Sequence, residues 1–442
     1  MADKLKKLST DAYKGVRDFF PEDMAIEKRI FAIWRDTCEK YGYEEYAASV
    51  LEPAELYRAK SGDEIVNEQT YTFMDRGDRQ VTLRPEMTPT VARMVAARRR
   101  ELVFPLRWYS IPNLFRYEQP QRGRVREHWQ LNVDLFGVDS LDAEVEVITM
   151  AYDIVRAYGL LDNQFEIRLN NRKVMNYVTR EVFGLEETAA AKLSKLIDKK
   201  EKLKPSDFEF AVREIFGQNE SNADKILTLL NSKNFEEFVT RLPQNKEEHE
   251  GIREIRIVMA GLERLGITNV RFDKTLMRGF DYYTGVVFEI FDLNPANRRS
   301  VFGGGRYDEL LALFGNDKVS AVGFGAGDVV ARDIMETYKT LPEAVPPADI
   351  ALCVVGEQNM PYALDLAQSL RAKAIRVSVD MSGKKLGDQI SHADKRGVTH
   401  IICIGDEETR TGRFKVKNLE TGAETAPSDA NTDLSALISA RR

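Results

Sequence analysis

Cysteine is scarce in this chain. Cys38, Cys353 and Cys403 are the three in 442 residues, an odd number with neither the close spacing of a thiolate zinc site nor the density of a disulfide framework. They read as reduced, mostly buried thiols. Histidine is nearly as sparse: His128, His249, His392 and His400 form no pattern with the cysteines or along a helix face, so structural zinc is not expected. No apolar run reaches membrane-spanning length, and the basic start "MADKLKKLST" leads into no apolar leader segment. The expectation is a cytoplasmic protein with no membrane partner. Excess positive charge is missing too, since the net charge is -6. That argues against coating nucleic acid by bulk charge, while leaving room for local basic patches.

What is present is an ordinary globular composition, 43% hydrophobic and 30% charged, at a length that implies roughly two to three domains. Ile26, Ile30, Ile33, Trp34 and Tyr41 recur at helical spacing after the acids of "PED". "TYTFM" and "QVTLR" read as strands around the turn "DRGDR", and "LRWYSIPNLFRYE" and "HWQLNVDLFG" as further strands. Strands clustered without a helix between each pair predict an antiparallel sheet. Residues 173–266 are charged, helical and strand-poor, which predicts a helical insertion into a domain made of 1–172 and 267–341. The linker "LPEAVPPAD" precedes alternating strands and helices, a small, mostly parallel α/β domain over 348–425, with 426–442 as a loosely held tail. The fold class is therefore mixed α/β: a large α+β domain with an antiparallel sheet flanked by helices, plus the C-terminal α/β domain.

Four segments carry residues suited to chemistry. "MRGFDYYTGVVFEIF" ends as a strand, with Val286, Phe288 and Ile290 on one face and Val287, Glu289 and Phe291 on the other. Its first half, with Arg278, Gly279, Tyr282, Tyr283 and Gly285, calls for another explanation. In "LFRYEQPQRGRVREHWQLNVD" Arg116 and Glu118, two apart on a predicted strand, share a face, and Arg122, Arg124 and Arg126 follow in a glycine-containing loop. Guanidinium forks there would hold a polyanion; a solvated basic turn is the bland reading of the same residues. "TLRPEMTPTVAR" sets Arg84, Glu86 and Thr88 before a predicted helix. "VFGGGRYDELL" places three glycines, Arg306 and Tyr307 ahead of another, where a backbone could approach a ligand closely.

In that order these segments resemble the histidyl-tRNA synthetases, a branch of the class II aminoacyl-tRNA synthetases, from about Tyr13 to about Glu424. "FRYEQPQRGRVRE" is similar to class II motif 2, and "RGFDYYTGVVFE" and "GGGRYDEL" to the two histidine-specific signatures. The resemblance implies an enzyme that joins L-histidine to ATP as histidyl-adenylate and then to tRNA(His), with Mg²⁺ on the phosphates, in a homodimer. It implies that Arg278 and Arg116 are catalytic at the α-phosphate, that Arg124 holds the γ-phosphate and that Glu118 lies beside the nucleotide. Glu86 and Thr88 would hold the amino group, and Gln130, Tyr282, Tyr283 and Tyr307 would line the pocket. Asp134 would meet the imidazole, where the family often has the longer Glu. The C-terminal domain would bind the anticodon, with Lys384, Lys385, Lys395, Arg396, Arg410, Arg413, Lys415 and Lys417 near predicted loops and strand ends.

Three positions depart from the family pattern. Val329 stands where motif 3 has its ATP-binding arginine, and Arg332, one helical turn on, is the candidate replacement. His128 takes the place of a ring that stacks on adenine, with Trp129 as the alternative if the register slips; Ser49 replaces the motif 1 proline. The rival is a non-catalytic, histidine-sensing regulatory subunit of ATP phosphoribosyltransferase. Such paralogues lack the anticodon-binding domain and lose activation arginines, whereas Arg116, Arg278 and a C-terminal domain are all present here.

Overall fold

A computed structural model describes residues 8–58, 69–121, 123–243, 247–277, 282–297, 300–315, 318–342 and 345–434. The chain forms two units, Met1–Leu341 and Pro342–Arg442. Strands of the first unit, in chain order, are β1 (Glu44–Glu45), β2 (Leu51–Pro53), β3 (Tyr71–Met74), β4 (Gln80–Leu83), β5 (Leu106–Ser110), β6 (Asn113–Phe115), β7 (Glu127–Phe136), β8 (Phe165–Asn171), β9 (Val270–Phe272), β10 (Val286–Asp292), β11 (Ser300–Arg306) and β12 (Ala321–Gly327).

A nine-stranded sheet runs β1-β5-β7-β12-β11-β10-β8-β9, with β6 paired to β7. It is antiparallel as expected, apart from the parallel pairs β1/β5 and β8/β9 at its two edges. Alternation sorts the residues of its central strands. Leu131, Val133 and Leu135 of β7, Val286, Phe288 and Ile290 of β10, and Val322, Phe324 and Ala326 of β12 join one core with Ile30 and Trp34 of the helix Pro21–Lys40 and Ile148 and Ile154 of the helix Asp142–Ala157. The intervening residues Gln130, Asn132 and Asp134 take the opposite face. Asn132 and Asp134 are buried there despite their polarity. Buried polar side chains on the second face of a sheet mark it as the functional one.

β2, β4 and β3 form a smaller sheet. Its hairpin turn closes on Asp75, whose Oδ1 accepts the Gly77 and Arg79 N–H groups at 2.8 and 2.9 Å. The stretch expected to be a helical insertion is helical, from Arg172–Asn176 to Glu250–Arg264, and builds a core of its own around Leu193, Val212, Ile226 and Phe238. Its last helix serves both cores: Ile252 and Ile255 belong to the insertion, Val258 and Leu262 to the large sheet.

In the second unit β13 (Ile350–Val354), β14 (Val377–Val379), β15 (His400–Ile404) and β16 (Lys417–Asn418) form a sheet ordered β14-β13-β15-β16. The first three are mutually parallel and β16 is antiparallel. Helices Met360–Arg371 and Leu386–Lys395 alternate with them, matching the strand–helix pattern of the sequence. The expected loose tail is instead packed at its start. Leu434 is 2% exposed in the core beside Phe414 and Ile402, and the Lys373 ammonium donates to the Ala430 and Thr432 carbonyls. Cys38 and Cys353 are buried and Cys403 is partly so, all three as free thiols.

Candidate active site

The polar face of β7 lies against glycines. Asp134 pairs with Gly323, Asn132 with Gly325 and Gln130 with Gly327 of β12. A Cβ on Gly323 would stand 2.7 Å from Asp134 Oδ1, and one on Gly325 would overlap the Gln130 amide. The glycines thus clear a floor for these side chains. Gly303, Gly304 and Gly305 continue the bare patch inside β11, where Cβ atoms would run into the carbonyls of Phe288, Gly323 and Val286. The run expected ahead of a helix is itself a central strand, followed among the described residues by the short 3-10 helix Leu311–Phe314.

Around this floor the tyrosines interlock. The Tyr307 hydroxyl donates to Asp134 Oδ1, and the Tyr282 hydroxyl donates to Glu86 Oε2 at 3.2 Å. Tyr282 meets the rings of Tyr283 and Tyr307 edge-on, with centroids at 5.1 and 5.6 Å. Glu86 is 1% exposed and Asp134 2%. Burial pushes the Asp134 carboxyl up to about 7, with the Tyr307 hydrogen bond opposing the rise. Its Oδ2 has no hydrogen-bond partner. Burial, with the Glu86 carboxylate adding to it, raises Tyr282 well above the ordinary phenol value, and the Thr88 hydroxyl opposes this. Gln130 donates from Nε2 to Asn132 Oδ1 at 2.9 Å, so Asn132 holds it in place. Asp134, Tyr282, Tyr283, Tyr307, Glu86, Thr88 and Gln130 therefore gather on one face of the sheet.

At the other end the expected strand pairing of Arg116 and Glu118 does not occur. β6 stops at Phe115, and the Glu118 N–H turns back to the Arg116 carbonyl at 2.8 Å, so alternation no longer applies. Arg116 Nε donates to the Pro85 carbonyl at 2.8 Å. Arg124 is 53% exposed, 3.5 Å from Glu118 Oε2. It lines a cleft of about 720 Å³ shared with Gln121, Glu289, Val330 and Lys202, a volume suited to a nucleotide. His128 shares a face with Gln130, while Trp129 packs edge-on against Phe19 at 5.3 Å and gives its N–H to Asp328 at 3.0 Å. Trp129 is thus engaged by Phe19 and Asp328, while His128 lies on the face that carries Gln130. Burial, then the nearby Arg116 cation, pulls His128 down to about 3, so the ring is neutral.

Arg332, the candidate replacement for the motif 3 arginine, is engaged by two carboxylates. Nη2 donates to Asp23 and Nε to Glu336, both at 2.9 Å, which ties it to the helix Pro21–Lys40 and to its own helix. Arg278, Gly279 and Arg122 lie outside the described residues. Gly285 leaves room for the Arg306 side chain at 3.2 Å.

Three motif arginines turn out to be clamps. Arg84 donates to the Ala48, Ser49 and Asn113 carbonyls. Arg126 stacks on Tyr117 at 3.9 Å and donates to the Glu118 carbonyl and the Tyr13 hydroxyl. Arg306 grips the buried Glu144 through two nitrogens at 2.5 and 2.6 Å. Asn132 was missed in the sequence, although polar residues at every second position of "QLNVD" were the signal for it.

Residues 15–327 match the family described as histidyl-tRNA synthetase, and residues 349–436 an anticodon binding domain. The histidine–tRNA ligase of Leptospira biflexa is 40% identical over 417 residues, covering 94% of each chain. The chain belongs to the histidyl-tRNA synthetase family. Its fold is shared with the histidyl-tRNA synthetase from Nostoc, at TM-score 0.82 and 23% identity over 99% of this chain and 100% of that one. A Bacillus halodurans protein described as an ATP phosphoribosyltransferase regulatory subunit/histidyl-tRNA synthetase aligns at TM-score 0.74 and 25% identity, over 90% of this chain and 99% of that one.

Among the described residues no helix is long and apolar enough to cross a membrane, and no group of three or more His, Cys, Asp or Glu side chains is placed to hold a metal ion. In the second unit Arg413, Lys415 and Lys417 line a cleft of about 500 Å³ alternating with Glu407, Glu408 and Glu424, a mixed-sign rather than uniformly basic surface.

Proposed function

We propose that this chain is a histidine–tRNA ligase that activates L-histidine with ATP and transfers it to the 3′ end of tRNA(His). The observation that carries this reading is the buried chain Asp134–Tyr307–Tyr282–Glu86 beside an arginine-bearing cleft. A carboxylate faces each end of a small amphoteric substrate. Glu86 and Thr88 take the α-ammonium group, while Asp134, Gln130 and Tyr307 take the imidazole. Tyr283 closes the wall.

The histidine carboxylate attacks the α-phosphorus of ATP, the bond to the bridging oxygen of the β-phosphate breaks, and pyrophosphate leaves with that electron pair. Arg116 faces the developing charge at the α-phosphate and Arg124 the tail. Arg278 joins Arg116 by family likeness. The neutral His128 ring stacks on adenine, with Glu118 beside the nucleotide. Arg332 is left out of the ATP site because two carboxylates already hold it. A terminal ribose hydroxyl of tRNA then attacks the mixed anhydride and AMP leaves. Mg²⁺ arriving with ATP would share the phosphate charge with the arginines and would need only one or two carboxylates from the protein. Glu289, which lines the cleft with Asp198, Glu201 and Asp273, and Glu118, beside Arg124, would be the candidates. The domain reading is a catalytic domain of 1–172 and 267–341, an insertion of 173–266 and an anticodon-binding domain from 348 that continues past 425. A homodimer in the cytoplasm completes the reading.

The deciding measurement is amino-acid-dependent ATP/pyrophosphate exchange across the twenty amino acids. Exchange with histidine alone is expected. Exchange with another amino acid and not histidine sinks the assignment, and none at all favours the regulatory subunit.

A further inference from the structure

Three polar atoms at one end of the site, Asp134 Oδ2, Ser110 Oγ and Tyr46 Oη, are buried and make no hydrogen bond of good geometry among the described residues. Strand register brings the first two together. In the antiparallel pair β5/β7, Ser110 stands opposite Asn132 and Trp108 opposite Asp134, so Ser110 shares the polar face of β7. Ser110 is 2% exposed. Tyr46 arrives from the sheet edge. Its N–H donates to the Tyr109 carbonyl at 2.8 Å, its ring leans on Trp108 with centroids at 5.7 Å, and it packs against the cluster that holds Tyr282 and Tyr307. Burial lifts its phenol well above the ordinary value, the Asp134 carboxyl adds to the rise and a loose hydrogen-bonding contact with the Ser110 hydroxyl opposes it, so Tyr46 lies near both groups.

Leaving a buried hydroxyl or carboxyl oxygen unpaired costs about 1–3 kcal/mol each. Three such atoms in one place describe a site shaped for a polar group supplied from outside. On the histidine reading, that group is the ring. We propose that Tyr46 and Ser110 are specificity-determining residues, whose hydroxyls with Asp134 Oδ2 form the closed end of the amino-acid pocket, bind the imidazole through its ring nitrogen, and reject side chains of the same shape that lack one. Asp134 Oδ2 accepts the ring N–H, and the hydroxyls donate to that oxygen or to the nitrogen that lacks a proton. The shorter reach of an aspartate is thereby made up by groups from the neighbouring strand.

The test uses the full-length protein with Tyr46→Phe and Ser110→Ala, each deleting a hydroxyl at nearly constant volume. Histidine KM and the inhibition constant of β-(2-thienyl)alanine, a five-membered ring without nitrogen, are measured in histidine-dependent pyrophosphate exchange. Their ratio should narrow about tenfold in each variant, the effect of one lost hydrogen bond, with ATP KM unmoved. Melting of the free protein should stay level or rise, because an unpaired buried hydroxyl has been removed. An unchanged ratio in both variants overturns the inference, as does a lower melting temperature with no change in ratio. If one variant fails to fold, the other reads the same site. Wild-type exchange is the control: its absence sinks the histidine reading itself, whereas wild-type exchange with unaltered discrimination sinks only this inference.

Discussion

The two ends of the candidate site are built differently. At the amino-acid end the groups around Asp134 sit on or beside central strands: Asp134 on β7 is held by Tyr307 just past β11, and Tyr307 in turn follows Arg306, which grips Glu144. At the nucleotide end Arg116 and Glu118 lie beyond the end of β6, and Arg124 projects from a loop at 53% exposure. A small substrate that must be told from its isosteres needs groups fixed before it arrives. A flexible polyanion with many equivalent oxygens can be gathered by side chains that close on it. On the proposed function, this contrast would place stability and selectivity at one end and charge neutralisation at the other.

The largest expected effect comes from cutting the amino-acid end loose. Arg306→Ala leaves Glu144 buried and unpaired, which should cost about 3–5 kcal/mol of unfolding free energy, read by denaturant titration. A loss under about 1 kcal/mol would contradict the rigid-end picture. Next is Asp134→Asn, which should raise histidine KM about a hundredfold and leave ATP KM alone.

The same variant carries a pH signature. Between the ordinary 3.8 and about 7 the folded protein holds a proton on Asp134 that the unfolded chain has released, so this group makes stability fall as pH rises through that window. Asn removes the dependence. The free variant should therefore melt higher than the parent at pH 8 and alike at pH 3, and the reverse order at pH 8 would refute a carboxyl buried without a countercharge. Glu27, pushed up to about 7 by burial and by Asp328, falls with pH in the same direction and is common to both proteins.

The smallest effects belong to the nucleotide end. Arg124→Ala should raise ATP KM about tenfold with melting unchanged, since an exposed arginine contributes little to folding. Arg332→Ala should leave ATP KM and exchange within about twofold, because a partly exposed ion pair is worth under about 1 kcal/mol. A large ATP defect in Arg332→Ala would reopen its place at the phosphate tail and blur the distinction between the two ends.

Much of this was legible beforehand where the signal is local. Alternation in "VVFEIF" assigned the faces of β10, "HWQLNVDLFG" was legible as a strand, and the strand–helix alternation after residue 347 identified the small α/β domain. The ordered motifs located the site along the chain. Local patterns survive because strand period and helix period are properties of neighbouring residues. What a charged side chain bonds to is not such a property. Arg84, Arg126, Arg306 and Arg332 look as available in the sequence as Arg116 and Arg124, yet their partners, at Ala48, Tyr13, Glu144 and Asp23, come from distant parts of the chain. The glycines of β11 were visible, but the carbonyls that exclude a Cβ there belong to the neighbouring strands β10 and β12. Tyr46 and Ser110 carried no motif at all. The order of strands in the sheet brings them to Asp134, and that order arises only when segments far apart in sequence pair through their backbones.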